Sequence, residues 1–367
     1  MSLRWFPLDE KPLVSVTVAV RDGQNWVDDC LQSLVDQTHR PLEIIAVNDG
    51  SSDGTAERLA EWSDENGEEI GVSVRILNQD ALGLAAARQH ALEESQGKWV
   101  AITDIDCRPH PTWIEFLVAQ SEGLDDENVV SVTGRVIFAE GDTIVSRIRA
   151  QEIERKYRKR SRRTTLANGP CSMFLRDRLL EIGGFNPAWY HAEDMEVSLK
   201  LIEAGGVIIH TPDAVVQHVP EDKLNIFLRK RKRDARAHVR IVRKYSPALR
   251  KGPGFDFIGA SWFVLALAPF LFGVFFLTAR IVFTEVRFEF YALGSQILIA
   301  LSSIYLLLGL SLMKGFLGRG RLSIKIKDSL LLPLVLTLWS ISLWLGIILG
   351  AIDAMAGRHG HGSERTK

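Results

Sequence analysis

The stretch AITDIDCRPH, residues 101–110, decides how the rest of the chain is interpreted. The apolar run 99–103 predicts a buried strand, and it ends in two carboxylates, Asp104 and Asp106, one residue apart. Acids this close repel each other unless a positive group lies between them. Magnesium and manganese are often held by one or two carboxylates together with phosphate oxygens. The stretch therefore predicts a site for a divalent cation and a diphosphate, and the alternative is an ordinary acidic turn.

Predicted strands and helices alternate around this stretch. Apolar, β-branched runs predict strands and helical spacing predicts helices between them, with strands at 13–20, 42–47, 72–77 and 99–103 and helices at 25–37, 55–62 and 84–94. This alternation is typical of an α/β fold with a mainly parallel sheet covered on both faces. Ligands of such sheets bind beyond the carboxyl ends of the strands. Polar segments follow three of the strands, at 21–23, 48–51 and 104–106.

Two further motifs carry acids where a ligand could lie. NDGSSDGT, residues 48–55, is a turn followed by a helix N-cap, and its Asp49 stands at a strand tip, where it could accept hydrogen bonds from a nucleotide base. HAED, residues 191–194, places Glu193 and Asp194 at the start of a predicted helix. The helix dipole alone favours acids there. The functional alternative is a general base held near a bound sugar.

The charge distribution divides the chain. Residues 1–145 carry 27 acids and 10 bases, whereas residues 146–367 carry 18 acids and 34 bases, so the second part is expected to face something anionic. Residues 146–163 predict a basic amphipathic helix that either lies on an anionic membrane or is simply solvated. Residues 229–251 contain 11 Lys or Arg. They either hold an acceptor phosphate or only mark the cytoplasmic side of a membrane.

Three uncharged runs predict membrane-spanning helices, because a span needs ~20 apolar residues. The runs are 23, 23 and 24 residues long, at 257–279, 291–313 and 329–352. Basic residues before the first run, and between the second and the third, place those two loops in the cytoplasm. We therefore expect a multi-pass cell-membrane protein whose first 250 residues are cytoplasmic and whose tail lies outside.

The motifs together resemble glycosyltransferase family 2, the inverting enzymes of the GT-A fold. The resemblance covers about residues 14–220, and it is carried by VSVTVAVRDG, LQSLVDQTHRPLEIIAVNDGSSDGT, ALGLAAARQHALEESQGKWVAITDID, ANGPCSMFLRDRLLEIGGF and the pair Glu193-Asp194. Each motif alone is weak, but their order and spacing are specific. The chain departs from the family in small ways, since residues 21–23 replace an aromatic-Asn-Glu run and Asn48 replaces the first acid of the usual DDGS.

The resemblance implies roles for individual residues. It assigns donor binding to Ala19, Arg21, Asp49, Arg88 and Asp104, with Asp49 and the end of the first strand at the nucleotide base.

For the metal, Mg²⁺ or Mn²⁺, the resemblance implies Asp106 as a ligand. It implies Asp194 as the base that removes the acceptor proton. Glu193, His218 and Arg233 are additional candidates. For His218 the alternative is a structural residue at a strand end.

The implied domains are a GT-A glycosyltransferase domain, a basic juxtamembrane segment, a three-helix transmembrane region and a polar tail, at 1–228, 229–256, 257–352 and 353–367. The implied activity is metal-dependent transfer of a sugar from a nucleotide-diphosphate donor to a lipid-linked or membrane-associated glycan acceptor. Membrane lipids are expected partners, and nucleic acid is not.

Two alternatives to this activity stay open. Processive polysaccharide synthases of the family carry Q-x-x-R-W after the base, and here that position reads LRKRKRDAR, which favours single additions. A catalytically silent subunit of a membrane complex is the other alternative. The presence of Asp104, Asp106 and Asp194 is evidence against it.

Overall fold

The computed structural model describes residues 11–66, 72–122, 128–139, 141–158, 160–189, 191–251, 264–273 and 331–357. Its strands are β1 (Val14–Val20), β2 (Leu42–Asp49), β3 (Val72–Gln79), β4 (Trp99–Asp104), β5 (Cys107–Pro109), β6 (Val129–Phe138), β7 (Arg163–Thr164), β8 (Ser172–Leu175) and β9 (Val207–His218). Its helices are α1 (Val27–Val35), α2 (Thr55–Asn66), α3 (Leu84–Glu94), α4 (Trp113–Glu122), α5 (Ile144–Arg158), α6 (Arg176–Glu181), α7 (Glu193–Glu203), α8 (Leu224–Lys244), α9 (Val264–Gly273) and α10 (Leu332–Met355).

One mixed sheet forms the centre of the fold. Its strand order is β3-β2-β1-β4-β8-β6-β9-β5, with β7 paired to β9. The strands β3, β2, β1 and β4 are all parallel, which confirms the predicted α/β pattern of this half. Beyond β4 the sheet is mixed, because β8 pairs antiparallel with both β4 and β6.

Both faces of the parallel half are buried. Side chains alternate between the faces of a strand, and in β2 Ile44 and Ala46 join the main core while Ile45 and Val47 join a second cluster. That second cluster includes Ala87 and Ala91 of α3. These small residues let α3 lie close to the sheet, so its buried Arg88 reaches the strand ends.

The predicted boundary between residues 228 and 229 falls inside a helix. Helix α8 runs through it from Leu224 to Lys244, and its buried residues include Phe227, Ala235 and Ile241. Apolar residues continue at helical spacing across the boundary, so the basic segment begins within the domain that precedes it.

One helix in the described part of the chain, α10, is long and apolar enough to cross a membrane. It has 24 residues and corresponds to the third predicted run, beginning three residues later. From the first run, 257–279, the structure describes the shorter helix α9. The second run, 291–313, lies outside the described residues. The described ranges therefore contain one helix of spanning length where the sequence predicted three.

Candidate active site

The carboxyl ends of three neighbouring strands bring predicted site residues together. Parallel pairing places Ala19 of β1 opposite both Val47 of β2 and Asp104 of β4. Arg21 follows β1, and Asp49 is the last residue of β2. This is the edge of the sheet where the sequence predicted a ligand.

Asp49 fixes the loop that leads into α3. The buried carboxylate accepts hydrogen bonds from Gln79 Nε2 at 2.8 Å, from the backbone N–H of Leu82 at 2.8 Å and from that of Gly83 at 2.9 Å. Gly83 has φ of +102°, a conformation that favours glycine. Arg21 Nη1 lies 3.9 Å from Asp49. The contact of Asp49 with a nucleotide base stays a prediction.

Arg88 is the buried cation at the centre of the site. Its Nη2 donates to Asp104 Oδ1 at 2.7 Å, and its Nη1 donates to Glu193 Oε1. Only 3% of Arg88 is exposed. Burial acts to lower the pKa of Arg88, but Glu193, Asp104 and Asp194 together raise it, so the guanidinium stays charged. Two acids as close as Asp104 and Asp106 need a positive group nearby, and for Asp104 that group is the Arg88 guanidinium.

Asp106 turns to a different partner, His218. Antiparallel pairing of β5 with β9 places Cys107 opposite His218, and His218 Nε2 lies 3.3 Å from Asp106 Oδ2. The other ring nitrogen, Nδ1, is 2.7 Å from the Val219 carbonyl. A carbonyl only accepts, so Nδ1 carries the proton and the lone pair of a neutral ring points from Nε2 towards Asp106.

This pair fits a divalent cation. Ligand atoms of Asp106, Cys107 and His218 lie within 4.8 Å of one another. Burial raises the pKa of the Cys107 thiol well above its usual value, and sulfur ligands suit softer metals than Mg²⁺ or Mn²⁺. The Asp106 carboxylate remains, together with the His218 imidazole, whose orientation is fixed by the Val219 carbonyl. Two protein ligands would leave positions for phosphate oxygens.

Asp194 lies at the start of α7, on the other side of Arg88. Its Oδ2 accepts from the Gly169 N–H at 3.0 Å, and its Oδ1 accepts from the Met195 N–H at 2.8 Å. Burial and then the nearby Glu193 raise the pKa of Asp194, while Arg88 partly opposes them. A raised pKa suits a group that must take up a proton near neutral pH. Glu193 is buried against Arg88, and the role of Asp194 as the base stays a prediction.

The residue before this acid pair is held in an unusual conformation. Ala192 has φ of +67°, which costs roughly 1–2 kcal/mol for a residue with a Cβ. On one side Glu193 is tied to Arg88, and on the other His191 Nε2 lies 2.8 Å from Asp234 Oδ1 of α8. The acid pair is therefore fixed from both α3 and α8.

Arg233 lies outside this group of acids. Its Nε is 3.9 Å from Asp234 Oδ1, while Arg231 Nη2 approaches Asp234 Oδ2 to 2.9 Å. Burial opposes it, but Arg231 and His191 hold the pKa of Asp234 well below its usual value. Arg233 thus lies on α8, the helix whose Asp234 contacts His191. Among the described residues, no hydrogen bond or ion pair links Arg233 to Asp104, Asp106 or Asp194.

Two cations beside Asp194 were missed by the sequence reasoning. Arg160, 8% exposed, donates from Nη1 to Asn168 Oδ1 at 3.0 Å, and the next residue, Gly169, binds Asp194. Nε and Nη2 of Arg160 have no hydrogen-bond partner among the described residues. Burial, Arg160 and Arg149 lower the pKa of Lys156 to about 8. These cations belong to the stretch interpreted as a basic amphipathic helix, Lys156 within α5 and Arg160 two residues beyond its end.

The fold is similar to that of a solved glycosyltransferase. The mannosyltransferase PcManGT from Pyrobaculum calidifontis, in complex with GDP-Man and Mn²⁺, matches with a TM-score of 0.60 over 96% of this chain and 89% of that one. The sequence identity is 18%, so the likeness concerns the fold alone. It supports the predicted GT-A type of architecture.

The sequence comparisons agree with the resemblance. The model of Glycosyl transferase family 2 matches residues 15–183. A glycosyltransferase of Haemophilus influenzae is 34% identical over 119 residues, which are 32% of this chain and 35% of that protein. Glycosyltransferase AglE of Haloferax volcanii is 26% identical over 267 residues, 70% of this chain and 82% of AglE. The chain thus matches the family model over residues 15–183 and spans about a third of the length of the first of these relatives.

Proposed function

We propose that the protein is an inverting glycosyltransferase that moves a sugar from a nucleotide-diphosphate donor to a lipid-linked or membrane-associated glycan acceptor. The observation that carries the proposal is the position of Arg88. Its guanidinium binds Asp104 at the strand ends and also Glu193, which is 105 residues away in sequence and next to Asp194. The candidate donor site and the candidate base therefore share one buried cation.

In the proposed reaction, the groups on the two sides of Arg88 have different roles. Asp194 takes the proton of the acceptor hydroxyl as its oxygen attacks the anomeric carbon of the sugar. The bond from that carbon to the diphosphate oxygen breaks on the opposite face, so the configuration inverts. Asp106 and Nε2 of His218 would hold Mg²⁺ or Mn²⁺, which when bound supplies Lewis-acid neutralisation of the leaving diphosphate. Arg88 keeps Asp104 and the loop of Asp194 in place throughout.

A panel of nucleotide sugars tests the proposal directly. A ligand that binds only the folded chain raises its midpoint of thermal unfolding. We expect one nucleotide sugar to protect the purified full-length chain in the presence of Mn²⁺ and to be slowly hydrolysed without an acceptor. Protection without any hydrolysis or transfer would instead identify the catalytically silent subunit. No protection by any donor would contradict the proposal.

Asp106→Asn is expected to uncouple the metal from the donor. In the unchanged chain Mn²⁺ and the nucleotide sugar should each tighten binding of the other. Removing a ligand charge should weaken Mn²⁺ binding by at least about 10-fold, since losing even an outer-shell partner costs 10–100-fold. Titration calorimetry of the donor with and without Mn²⁺ measures this. Asp177→Asn, at an exposed acid, is the control, and unaltered metal dependence in Asp106→Asn would mean that the acid pair is only a turn.

The cations beside Asp194 support an anionic group, such as a phosphate, on the acceptor. Lys156, with its pKa lowered to about 8, is charged below that pH and neutral above it. The KM for the acceptor should therefore rise as the pH passes upward through about 8. The change should reach ~10–100-fold, because a hydrogen bond to a charged group contributes ~1.5–3 kcal/mol.

Two variants separate this effect from other titrations. Lys156→Arg keeps its charge at high pH, so the acceptor KM should become independent of pH in this range. Lys156→Gln should show a high KM throughout. An unchanged pH dependence in both variants would exclude Lys156 as an acceptor contact while leaving the donor side untouched.

Membrane attachment is part of the proposal. The apolar helix α10 and the basic helix α8 support it, and a nucleotide-sugar donor places the active site on the cytoplasmic face. The multi-pass arrangement stays a prediction, because residues 274–330 lie outside the described part of the chain.

A further inference from the structure

Helix α10 packs along the glycosyltransferase domain from its first residue to its last turn. Its buried residues recur at helical spacing on one face: Leu332, Val335, Leu336, Trp339, Ser340, Leu343, Gly346 and Gly350. At the beginning, Leu332 shares an apolar cluster with Ile144 and Val145 of α5. At the end, Asp353 accepts two hydrogen bonds from Arg236 of α8, at 2.5 Å from Nε and 2.9 Å from Nη2.

Helix α8 runs beside α10 in the same direction and at very close range. Phe227 packs edge-on against Trp339 with ring centroids 5.3 Å apart. Further along, a Cβ on Gly346 would lie 2.2 Å from the Lys232 carbonyl oxygen, and one on Gly350 would lie 2.8 Å from that of Arg236. The two glycines, four residues apart, let the backbones touch. A Cβ on Gly350 would also lie 2.9 Å from the Val239 Cβ. From Phe227 to Val239 the contact therefore follows α8 for about 18 Å, at 1.5 Å per residue.

This packing conflicts with a bilayer crossing by α10. The hydrocarbon core is ~30 Å thick. If α10 crossed it, the part of α8 in contact with α10, which is longer than half of this thickness, would also lie in the hydrocarbon. This part of α8 would include six cations: Arg229, Lys230, Arg231, Lys232, Arg233 and Arg236. Charged side chains in hydrocarbon are costly. Moreover, the two ends of α10 contact the same domain, so neither end can lie across the membrane from it.

The opposite face of α10 is apolar and exposed. It carries Leu331, Leu334, Ile341, Leu345, Ile348, Ile352 and Met355, with exposed fractions between 43% and 81%. Beside this face lies the cationic helix α8, with exposed Arg229 and Arg243. An apolar face bordered by cations fits acyl chains and anionic headgroups.

We infer that α10 lies in the plane of the membrane interface and does not cross the bilayer, with its outer face in the acyl region and α8 at the level of anionic headgroups. The end of α10 at Met355 then lies on the same side of the membrane as the active site, whereas the sequence predicted that the chain reaches the outside there. This arrangement holds the acceptor side of the domain against the membrane without requiring a crossing by α10.

A depth profile of spin labels tests the orientation. Single cysteines are introduced at Leu334, Ile341 and Ile348 of the full chain, bound to vesicles of phosphatidylcholine and phosphatidylglycerol. The three native cysteines are buried, so labelling is selective. Collision rates with oxygen and with a water-soluble nickel complex should report one shallow depth at all three positions. A crossing helix would instead show a maximum depth in the middle, which would overturn the inference.

Sidedness gives a second and independent measurement. Gly357→Cys, an exposed position beyond the end of α10, should react with an impermeant maleimide from the same side of the membrane as Asp177→Cys, an exposed position of the glycosyltransferase domain. Labelling of Gly357→Cys and Asp177→Cys from opposite sides would overturn the in-plane orientation. Low oxygen collision at all three spin-labelled positions would also overturn it, because protein rather than lipid would then cover the outer face.

Discussion

Asp194→Asn is expected to bind the donor and Mn²⁺ nearly as well as the unchanged chain, while its rate of sugar transfer falls by at least about 10²–10⁴-fold. Asparagine keeps the shape of the side chain but cannot take the acceptor proton. Donor affinity with Mn²⁺ present and the transfer rate are the two quantities to measure. Because burial and Glu193 raise the pKa of Asp194, transfer by the unchanged chain should fall on the acid side at a pH above the usual aspartate range.

The neighbouring acid supplies the control for this prediction. Asp194 accepts two backbone N–H bonds, of which an amide can keep only one, so thermal unfolding of the variant must be measured too. Glu193→Gln leaves Asp194 in place and should retain more of the transfer rate. A near-unchanged rate in Asp194→Asn, together with a large loss in Glu193→Gln, would move the base to Glu193.

The sequence predicted the parallel half of the fold and the positions of its strand tips well. Apolar, β-branched runs indicate which strands are buried, and neighbouring parallel strands have their carboxyl ends at the same edge of the sheet. Asp49 of β2 and Asp104 of β4 therefore lie at the same edge of the sheet, on either side of β1. The partners of the acids were not predictable in the same way. The pairing of Asp106 with His218 depends on the register of β5 with β9, and no local pattern encodes a register between distant segments.

The basic segments show what composition alone does not determine. Residues 146–163 and 229–251 have the charge of membrane-facing helices, but charge does not tell which of their cations turn inward. Arg160 faces Asn168, and Arg231 binds Asp234. Likewise, the apolar run of α10 satisfies the length of a membrane span, whereas its contact with Arg236 through Asp353 depends on tertiary packing.

Arg88→Met is expected to lower the free energy of unfolding by about 3–5 kcal/mol, the usual cost of removing one partner from a buried ion pair. Methionine fills much of the same volume, so the loss reports on charge more than on packing. The variant leaves Glu193, 3% exposed, as a buried carboxylate without its cation. Urea unfolding followed by circular dichroism measures the change. Arg158→Met is the matched control, because Arg158 pairs with Glu154 on the surface, where such pairs contribute only about 0.2–1 kcal/mol.

A second substitution shows whether the uncompensated charge is the cause. In the double variant Arg88→Met with Glu193→Gln no buried carboxylate remains at position 193, so much of the lost stability should return. The coupling energy between the two sites should exceed 1 kcal/mol, as expected for residues in direct contact. Transfer activity should stay low in the double variant, because Asp104 and the loop of Asp194 are no longer tied to one guanidinium. If Arg88→Met unfolds within 1 kcal/mol of the unchanged chain, Arg88 is not the cation that holds the two sides of the site together. Recovery of full activity in the double variant would show that Arg88 balances charge only and positions neither acid.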